Sequence, residues 1–227
     1  MGNVVIVARS GEPFRSRQEA GRLLARELAR YRGERPVVLA IPRGGVVVGD
    51  ALAQALGGEL DIILAHKLRT PGESELALGA VSEGGQLFLN DEVVKDLGID
   101  MPAIQQEKNR QLAEIRRRTK MFRAARPRVP LDGRIVIITD DGIATGATAQ
   151  AAIWVAKLEN PRKLVLAVPV ASDDSLNKLS PEVDELLCLR APASFFAVGQ
   201  FYLRFEAVTD EEVLETLKRY GGSGVAA

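Results

Sequence analysis

Gly133-Arg134-Ile135-Val136-Ile137-Ile138-Thr139-Asp140-Asp141-Gly142-Ile143-Ala144-Thr145-Gly146-Ala147-Thr148 runs from an apolar segment through two acids into a turn of small residues. Ile135 to Thr139 is an unbroken β-branched run, the signature of a strand buried on both faces of a parallel sheet. Asp140 and Asp141 end it, and the turn from Gly142 to Thr148 opens an alanine-rich helix. Backbone N–H groups at that helix start, with the Thr145 and Thr148 hydroxyls, can hold a phosphate whose charge the helix dipole favours. Two carboxylates beside a phosphate repel it unless they bind something else, and ribose hydroxyls or a Mg²⁺ ion are the natural candidates. Phosphate, ribose and metal together describe a phosphorylated sugar. The competing reading is an Asp-Gly turn in an ordinary βα unit, with the threonines as helix caps. No G-x-x-x-x-G-K-[ST] occurs, and no G-x-G-x-x-G follows a strand, so the common nucleotide loops are excluded.

Working outward, Val37 to Ile41 is a second buried strand, followed by Pro42-Arg43-Gly44-Gly45 and a helix from Val46 to Leu56. Paired glycines after a strand let backbone N–H groups approach an anion closely, and Arg43 adds charge-assisted donors. Leu60 to Ala65 reads as a third strand, which makes a βαβ unit and so a parallel sheet. In such sheets ligands gather beyond the carboxyl ends of the strands, so the loops at 42–45 and 140–148 are expected to line one crevice. His66-Lys67 closes the third strand. Leu68 to Ala77 has no clear period and a turn signal at Thr70-Pro71-Gly72-Glu73, which suits a lid over the crevice. Gly146 is expected to admit the phosphate because a side chain there would block its approach to the backbone.

Elsewhere the spacing predicts a helix over Ser16 to Tyr31, a hairpin about Glu83-Gly84-Gly85, and a short helix from Asp91 to Leu97. Strands are expected at Lys163–Val168 and Val183–Leu189, and a helix at Ala147–Leu158. Thr209-Asp210-Glu211-Glu212 is a capping signature for a terminal helix to Tyr220. A long polar helix fills Ala103 to about Ala125, and residues 103–128 hold nine Lys or Arg against only Glu107 and Glu114. The aromatic interleaving of a single-strand binding platform is missing there, apart from Phe122, so a solvated face is the expectation. Five of the ten Phe and Tyr residues cluster at Phe195, Phe196, Phe201, Tyr202 and Phe205.

The chain has 227 residues and no net charge, which gives electrostatics no pull toward nucleic acid or membrane. The lone Cys188 lies in an apolar run and reads as a buried thiol, and one cysteine with one histidine excludes a disulfide framework and Cys/His metal sites. Val4 to Ala8 is too short for a signal segment, and no run approaches a membrane span; a cytoplasmic protein is expected.

The stretch Val136 to Thr148 resembles the binding motif for phosphoribosyl pyrophosphate in type I phosphoribosyltransferases: apolar run, two acids, small-residue turn with Thr-Gly-x-Thr. Pro42-Arg43-Gly44-Gly45 looks like that family's pyrophosphate loop, and the order of loops agrees over nearly the whole chain. The Pro-Arg-Gly-Gly and Asp-Asp-Gly-x-Ala-Thr-Gly motifs look closest to an uncharacterised bacterial branch. The resemblance implies an α/β core of about five parallel strands flanked by helices, spanning about 34–90 and 130–190. It implies a hood from about 1–15 and 191–220, with a helical insertion at about 101–128, all in a single domain over 1–227. It also implies transfer of phosphoribose to a nitrogenous acceptor, a nucleobase or another amine, with Mg²⁺ and release of pyrophosphate. By resemblance, Gly142, Ala144, Thr145, Gly146, Ala147 and Thr148 hold the 5′-phosphate, and Arg43, Gly44, Gly45 and Lys67 the pyrophosphate. Asp140 and Asp141 take the ribose hydroxyls and, directly or not, the metal; with Lys67 and Arg43 they form the catalytic set. Phe195, Phe196 and Val198 contact the base. His66 stands where the family usually has arginine, and no residue stands out as a general base. Small-molecule substrates are expected, without nucleic acid or membrane, and a homodimer is compatible with the chain. The alternative is a regulator that senses the sugar phosphate or a nucleotide and binds nucleic acid through the basic insertion.

Overall fold

A computed structural model describes residues 3–70 and 73–221. Strand β1 (Asn3–Ala8) leads to helix α1 (Arg17–Glu27), whose Ser16 cap accepts the Glu19 N–H. Strand β2 (Val37–Ala40), helix α2 (Gly44–Leu56) and strand β3 (Glu59–Ile62) follow. The chain then leaves the main sheet for β4 (Ala65–Thr70), β5 (Glu73–Ser82) and β6 (Leu87–Leu89), then helices α3 (Asp91–Asp96) and α4 (Met101–Ala125). It returns with β7 (Ile135–Thr139), α5 (Ala147–Lys157), β8 (Lys163–Val170), α6 (Asp173–Leu179) and β9 (Glu185–Arg190). Helix α7 (Asp210–Gly221) ends the described chain; Thr209 and Glu212 cap it reciprocally, as the sequence signature predicts.

The main sheet has six parallel strands in the order β1-β9-β8-β7-β2-β3. Its period-two pattern sends Val38, Ala40, Ile137, Val165 and Leu187 to the side covered by α1 and α2. Val37, Leu39, Val136, Ile138 and Leu166 face the side covered by α5 and α6. Cys188 is fully buried there, and burial pushes its thiol up to about 12. No helix is long and apolar enough to cross a membrane among the described residues.

Three expectations need correction. The N-terminal segment is not all hood, because Asn3–Ala8 pairs with β9 and adds the sixth strand at the sheet edge. The third strand ends at Ile62. His66 and Lys67 belong to β4 of a separate three-stranded antiparallel sheet, where they pair with Val81 and Ala80. Of the expected lid, 68–70 and 73–77 lie in β4 and β5, and Pro71-Gly72 falls outside the described residues. This sheet has its own small core of Leu68, Leu78, Val81 and Ile104, beneath α3 and α4. The predicted hairpin about Glu83-Gly84-Gly85 is its β5–β6 turn.

Helix α4 is not a solvated appendage either. Arg123 Nη1 donates to Asp61 Oδ1 at 2.6 Å, its Nε donates to Glu83 at 2.8 Å, and its Nη2 donates to the Ile62 carbonyl at 2.9 Å. Asp61 is 1% exposed, and its other oxygen accepts the Val129 N–H. Arg123→Leu would leave that carboxylate buried without its cation, and is expected to cost about 3–5 kcal/mol of stability. A urea midpoint within experimental error of wild type would contradict this role.

Candidate active site

Strands β2 and β7 are neighbours in register, Val37 beside Val136 and Ala40 beside Thr139, so the loops that follow them leave the same edge side by side. The Ile41 N–H continues the ladder onto the Thr139 carbonyl at 2.9 Å. The Pro42–Arg43 peptide is cis. A Cβ on Gly45 would lie 2.9 Å from Asp140 Cα and Oδ1, and one on Gly44 only 1.9 Å from Asp141 Oδ2. The two glycines therefore do more than bare their N–H groups: they let the loop seat directly on the acid pair.

Asp140 is held by its own surroundings. Its Oδ1 accepts the Asp141 N–H at 2.8 Å, and the Gly45 N–H also donates to its carboxylate. Burial, and then the neighbouring Asp141 charge, push the Asp140 carboxyl well above the usual range. Asp141 is also raised by burial, against the pull of Arg17. Arg17, in the first turn of α1, donates through Nε to Asp141 Oδ2 at 2.8 Å and through Nη1 to the Glu206 carbonyl at 2.9 Å. Its guanidinium lies 3.9 Å from the centre of the Phe205 ring, and the residue is 8% exposed. The Tyr202 hydroxyl donates to the Asp141 carbonyl at 2.6 Å. Sequence reasoning missed Arg17, since an arginine in an Arg/Glu-rich helix carries no local signal, and saw Tyr202 only as a member of the aromatic cluster.

The small-residue turn is strapped to the end of β8. The Ile143 N–H donates to the Val170 carbonyl, and the Ala144 carbonyl accepts the Ser172 hydroxyl at 2.8 Å and the Ser175 hydroxyl at 2.6 Å. Helix α5 starts at Gly146 without a side-chain cap. Among the described residues no hydrogen bond uses the N–H of Thr145, Gly146, Ala147 or Thr148, and both threonines are exposed. This is a helix start with free donors. Gly146 has a different reason from the one expected. Its φ is +76°, and a Cβ there would point at the Leu179 side chain 3.2 Å away, not at the crevice. Gly146→Ala is therefore expected to cost about 1–2 kcal/mol through left-handed backbone strain, read as a lower denaturant midpoint with or without ligand. Gly142 is constrained too, because its missing Cβ would overlap Val198 Cγ1 at 2.6 Å.

The aromatic cluster divides. Phe195 packs against the core, 5.1 Å from the Phe201 ring, whereas Phe196 is 89% exposed. Phe14 joins this region through backbone bonds to Phe201 and Leu203. Helix α7 lies apart from them, against α2 and α4.

On the other flank, a cleft of about 270 Å³ opens between Pro42, Lys67, Thr148 and the α4 residues Glu114 and Arg118. The insertion helix is thus one wall of the crevice. Arg43 is exposed and lies 3.8 Å from Asp210 at the start of α7, with Arg117 at 2.8 Å and Arg118 at 3.7 Å from the same carboxylate. One cap acid so collects the pyrophosphate-loop arginine and two arginines of α4.

A family model described as a phosphoribosyl transferase domain matches residues 15–205. The chain belongs to this phosphoribosyltransferase family. Two Mycobacterium tuberculosis sequences, "Putative phosphoribosyl transferase MT0597" and "Putative phosphoribosyl transferase Rv0571c", are each 47% identical over 206 residues, covering 91% of this chain. They extend well beyond it: the match covers 46% of each, so the chain spans about half the length of these curated relatives. The crystal structure of TT1426 from Thermus thermophilus is 45% identical with a TM-score of 0.89, covering 92% of this chain and 100% of that one.

The acid pair bears on whether a Mg²⁺ ion could be held here. Among the described residues no group of three His, Cys, Asp or Glu side chains could enclose a metal. The Arg17 and backbone N–H bonds also occupy part of the acid pair. Mg²⁺ is commonly held by one or two carboxylates with waters and substrate phosphates supplying the rest, and two crowded carboxylates with raised protonation suit that shared arrangement. The two carboxylates fit part of a Mg²⁺ shell, the rest of which water and phosphate oxygens would complete.

Proposed function

We propose that the chain transfers phosphoribose from 5-phosphoribosyl 1-pyrophosphate to a nitrogenous acceptor, a nucleobase, and releases pyrophosphate. The observation that carries this reading is the seating of Gly44 and Gly45 on Asp140 and Asp141, beside the uncapped start of α5. Carboxylate oxygens that could accept ribose hydroxyls, flanked by two loops with N–H groups that could hold anions, support this reading. Thr145, Gly146, Ala147 and Thr148 would hold the 5′-phosphate. Asp140 and Asp141 would fix the ribose, with Arg17 and Tyr202 keeping Asp141 in place. Arg43, Gly44, Gly45 and Lys67 would receive the pyrophosphate, and the exposed ring of Phe196 would stack on the acceptor. Mg²⁺, when bound, would neutralise charge on the pyrophosphate. Attack by the acceptor nitrogen at carbon 1 then needs positioning and stabilisation of departing negative charge more than covalent help.

The nucleic-acid alternative has less support. Six of the nine basic residues in the insertion, Arg110, Arg117, Arg118, Arg123, Arg126 and Arg128, already face carboxylates of this chain. A cytoplasmic setting suits the single buried thiol. Incubation with phosphoribosyl pyrophosphate, Mg²⁺ and a panel of purines, pyrimidines and simple amines, following pyrophosphate, tests the reading. Acceptor-dependent release is expected with at least one base. Tight, salt-sensitive RNA or DNA binding with no release from any acceptor would overturn it.

A further inference from the structure

Gln111 is 2% exposed in the middle of α4, an odd place for an amide unless both its ends are satisfied. Its Nε2 donates to Glu107 Oε1 at 2.8 Å. Glu107 is itself gripped by Arg110, through Nε at 2.7 Å and Nη2 at 3.0 Å, and accepts the Arg69 N–H at 3.2 Å. With its nitrogen end committed, the amide presents Oε1 to the His66 ring, 3.1 Å from Nδ1. A carbonyl oxygen can only accept, so this network assigns a proton to Nδ1. Among the described residues no hydrogen bond uses the other nitrogen, Nε2, and the ring lines the same cleft as Pro42, Lys67 and Thr148. With the Nδ1 proton held by the amide, the Nε2 lone pair is left to the cleft.

We propose that His66 is a catalytic residue that, in its charged form, donates a proton from Nε2 to the departing pyrophosphate, with Gln111 as the residue that positions it. This rests on the transferase reading given above. As the bond from carbon 1 to the pyrophosphate oxygen breaks, its electron pair stays on that oxygen, which takes the Nε2 proton. The acceptor nitrogen forms its bond to carbon 1 and gives up its own proton to solvent, and the neutral ring regains a proton from water. The charged groups that line the cleft with the ring are Lys67 and Arg69 on β4 and Glu114 and Arg118 on α4; α5 contributes the uncharged Ala147 and Thr148 to the same lining. Glu114 Oε2 lies 3.9 Å from Nδ1, a partner for the ring in its charged form.

His66 is the only histidine in the chain, so its ring nitrogens give a single set of ¹⁵N resonances. Long-range ¹H–¹⁵N spectra at a pH where the ring is neutral are expected to show the Nδ1–H tautomer. Adding Mg²⁺-pyrophosphate should move the Nε2 resonance, and Gln111→Met should shift the ring to mainly Nε2–H. With an active acceptor, His66→Gln is expected to lower kcat by roughly 10²–10⁴-fold, the usual range for a lost general acid. Its KM for phosphoribosyl pyrophosphate should change far less, and Gln111→Met should show a smaller fall in kcat with KM kept. The wild-type spectrum decides the tautomer even if a variant fails to fold. An Nε2–H ring in the wild type would overturn the inference alone. So would an unmoved resonance while calorimetry records pyrophosphate binding. A chain that binds neither pyrophosphate nor phosphoribosyl pyrophosphate would remove the transferase reading, and this inference with it.

Discussion

Asp140→Asn is expected to slow transfer by orders of magnitude while leaving the fold as stable as wild type or more so, whereas Asp141→Asn should lose both activity and stability. The two acids look equivalent in sequence and are not. Among the described residues Asp140 is hydrogen-bonded by backbone N–H groups alone, from Asp141 and Gly45, which an asparagine Oδ1 can also accept, while Arg17 acts on it only through its charge. Its carboxyl is pushed up in the folded state by burial and then by Asp141, so the native chain holds a proton more tightly than the unfolded one. Such a group favours folding below its unfolded pKa and loses that contribution as pH rises through the folded pKa. As pH rises through the folded pKa the acid pair therefore opposes folding more, and Asp140→Asn should melt at or above wild type, the gap closing on acidification. Asp141, by contrast, is the partner of a guanidinium that is 8% exposed and pinned on Phe205 and the Glu206 carbonyl. Removing its charge leaves Arg17 half-satisfied, so that variant should melt lower. Loss of activity in Asp140→Asn should reach roughly 10²–10³-fold, the scale of one preorganised electrostatic contact. Melting curves at several pH values with turnover at one pH check both parts, and equal behaviour of the two variants would contradict the assignment.

Gly45→Ala should be the more damaging of the two loop-glycine substitutions. Its Cβ would meet backbone, Asp140 Cα at 2.9 Å and the Thr139 carbonyl at 3.0 Å, neither of which can swing aside. Relief requires the two loops to part, at about 1–3 kcal/mol for overpacking, and parting them dismantles the crevice. Gly44→Ala meets the Asp141 carboxylate and Arg17 Nε, which are side-chain atoms. That clash can be relieved by turning Asp141, so stability should fall less while ligand binding still fails. Chemical denaturation paired with calorimetry separates the cases. A Gly45→Ala protein of wild-type stability and affinity would show that the loops do not interlock.

What could be read from the sequence was contiguous. The strand, the acids and the turn at 135–148 lie within one element and its loop, so period and residue type sufficed. The glycines at 44 and 45 were legible as a close-approach site, but what approaches them, the acid pair itself, depends on the pairing of β2 with β7. Arg17 and Gln111 were silent because their partners are distant in the chain: Asp141 lies 124 residues from Arg17 and His66 lies 45 from Gln111. The β5–β6 hairpin of the antiparallel sheet was legible, but β4 escaped notice because its pairing with β5 breaks register at Leu68/Arg69 and Arg69/Thr70, which blurs any period of two. The basic helix read as solvated because its carboxylates, Asp61, Glu83 and Asp210, come from three other segments. Charge counted along one helix says nothing about partners supplied by the fold.

Calorimetric titration of phosphoribosyl pyrophosphate into the wild-type chain and into Gly44→Ala, with and without Mg²⁺, bears most directly on the claim that the interlocked loops form one sugar-phosphate site. One molecule is expected to bind per chain, more tightly with Mg²⁺, with no measurable heat of binding in a folded Gly44→Ala protein. Equal affinity in the two proteins, or no binding by the wild type at millimolar ligand, would contradict it.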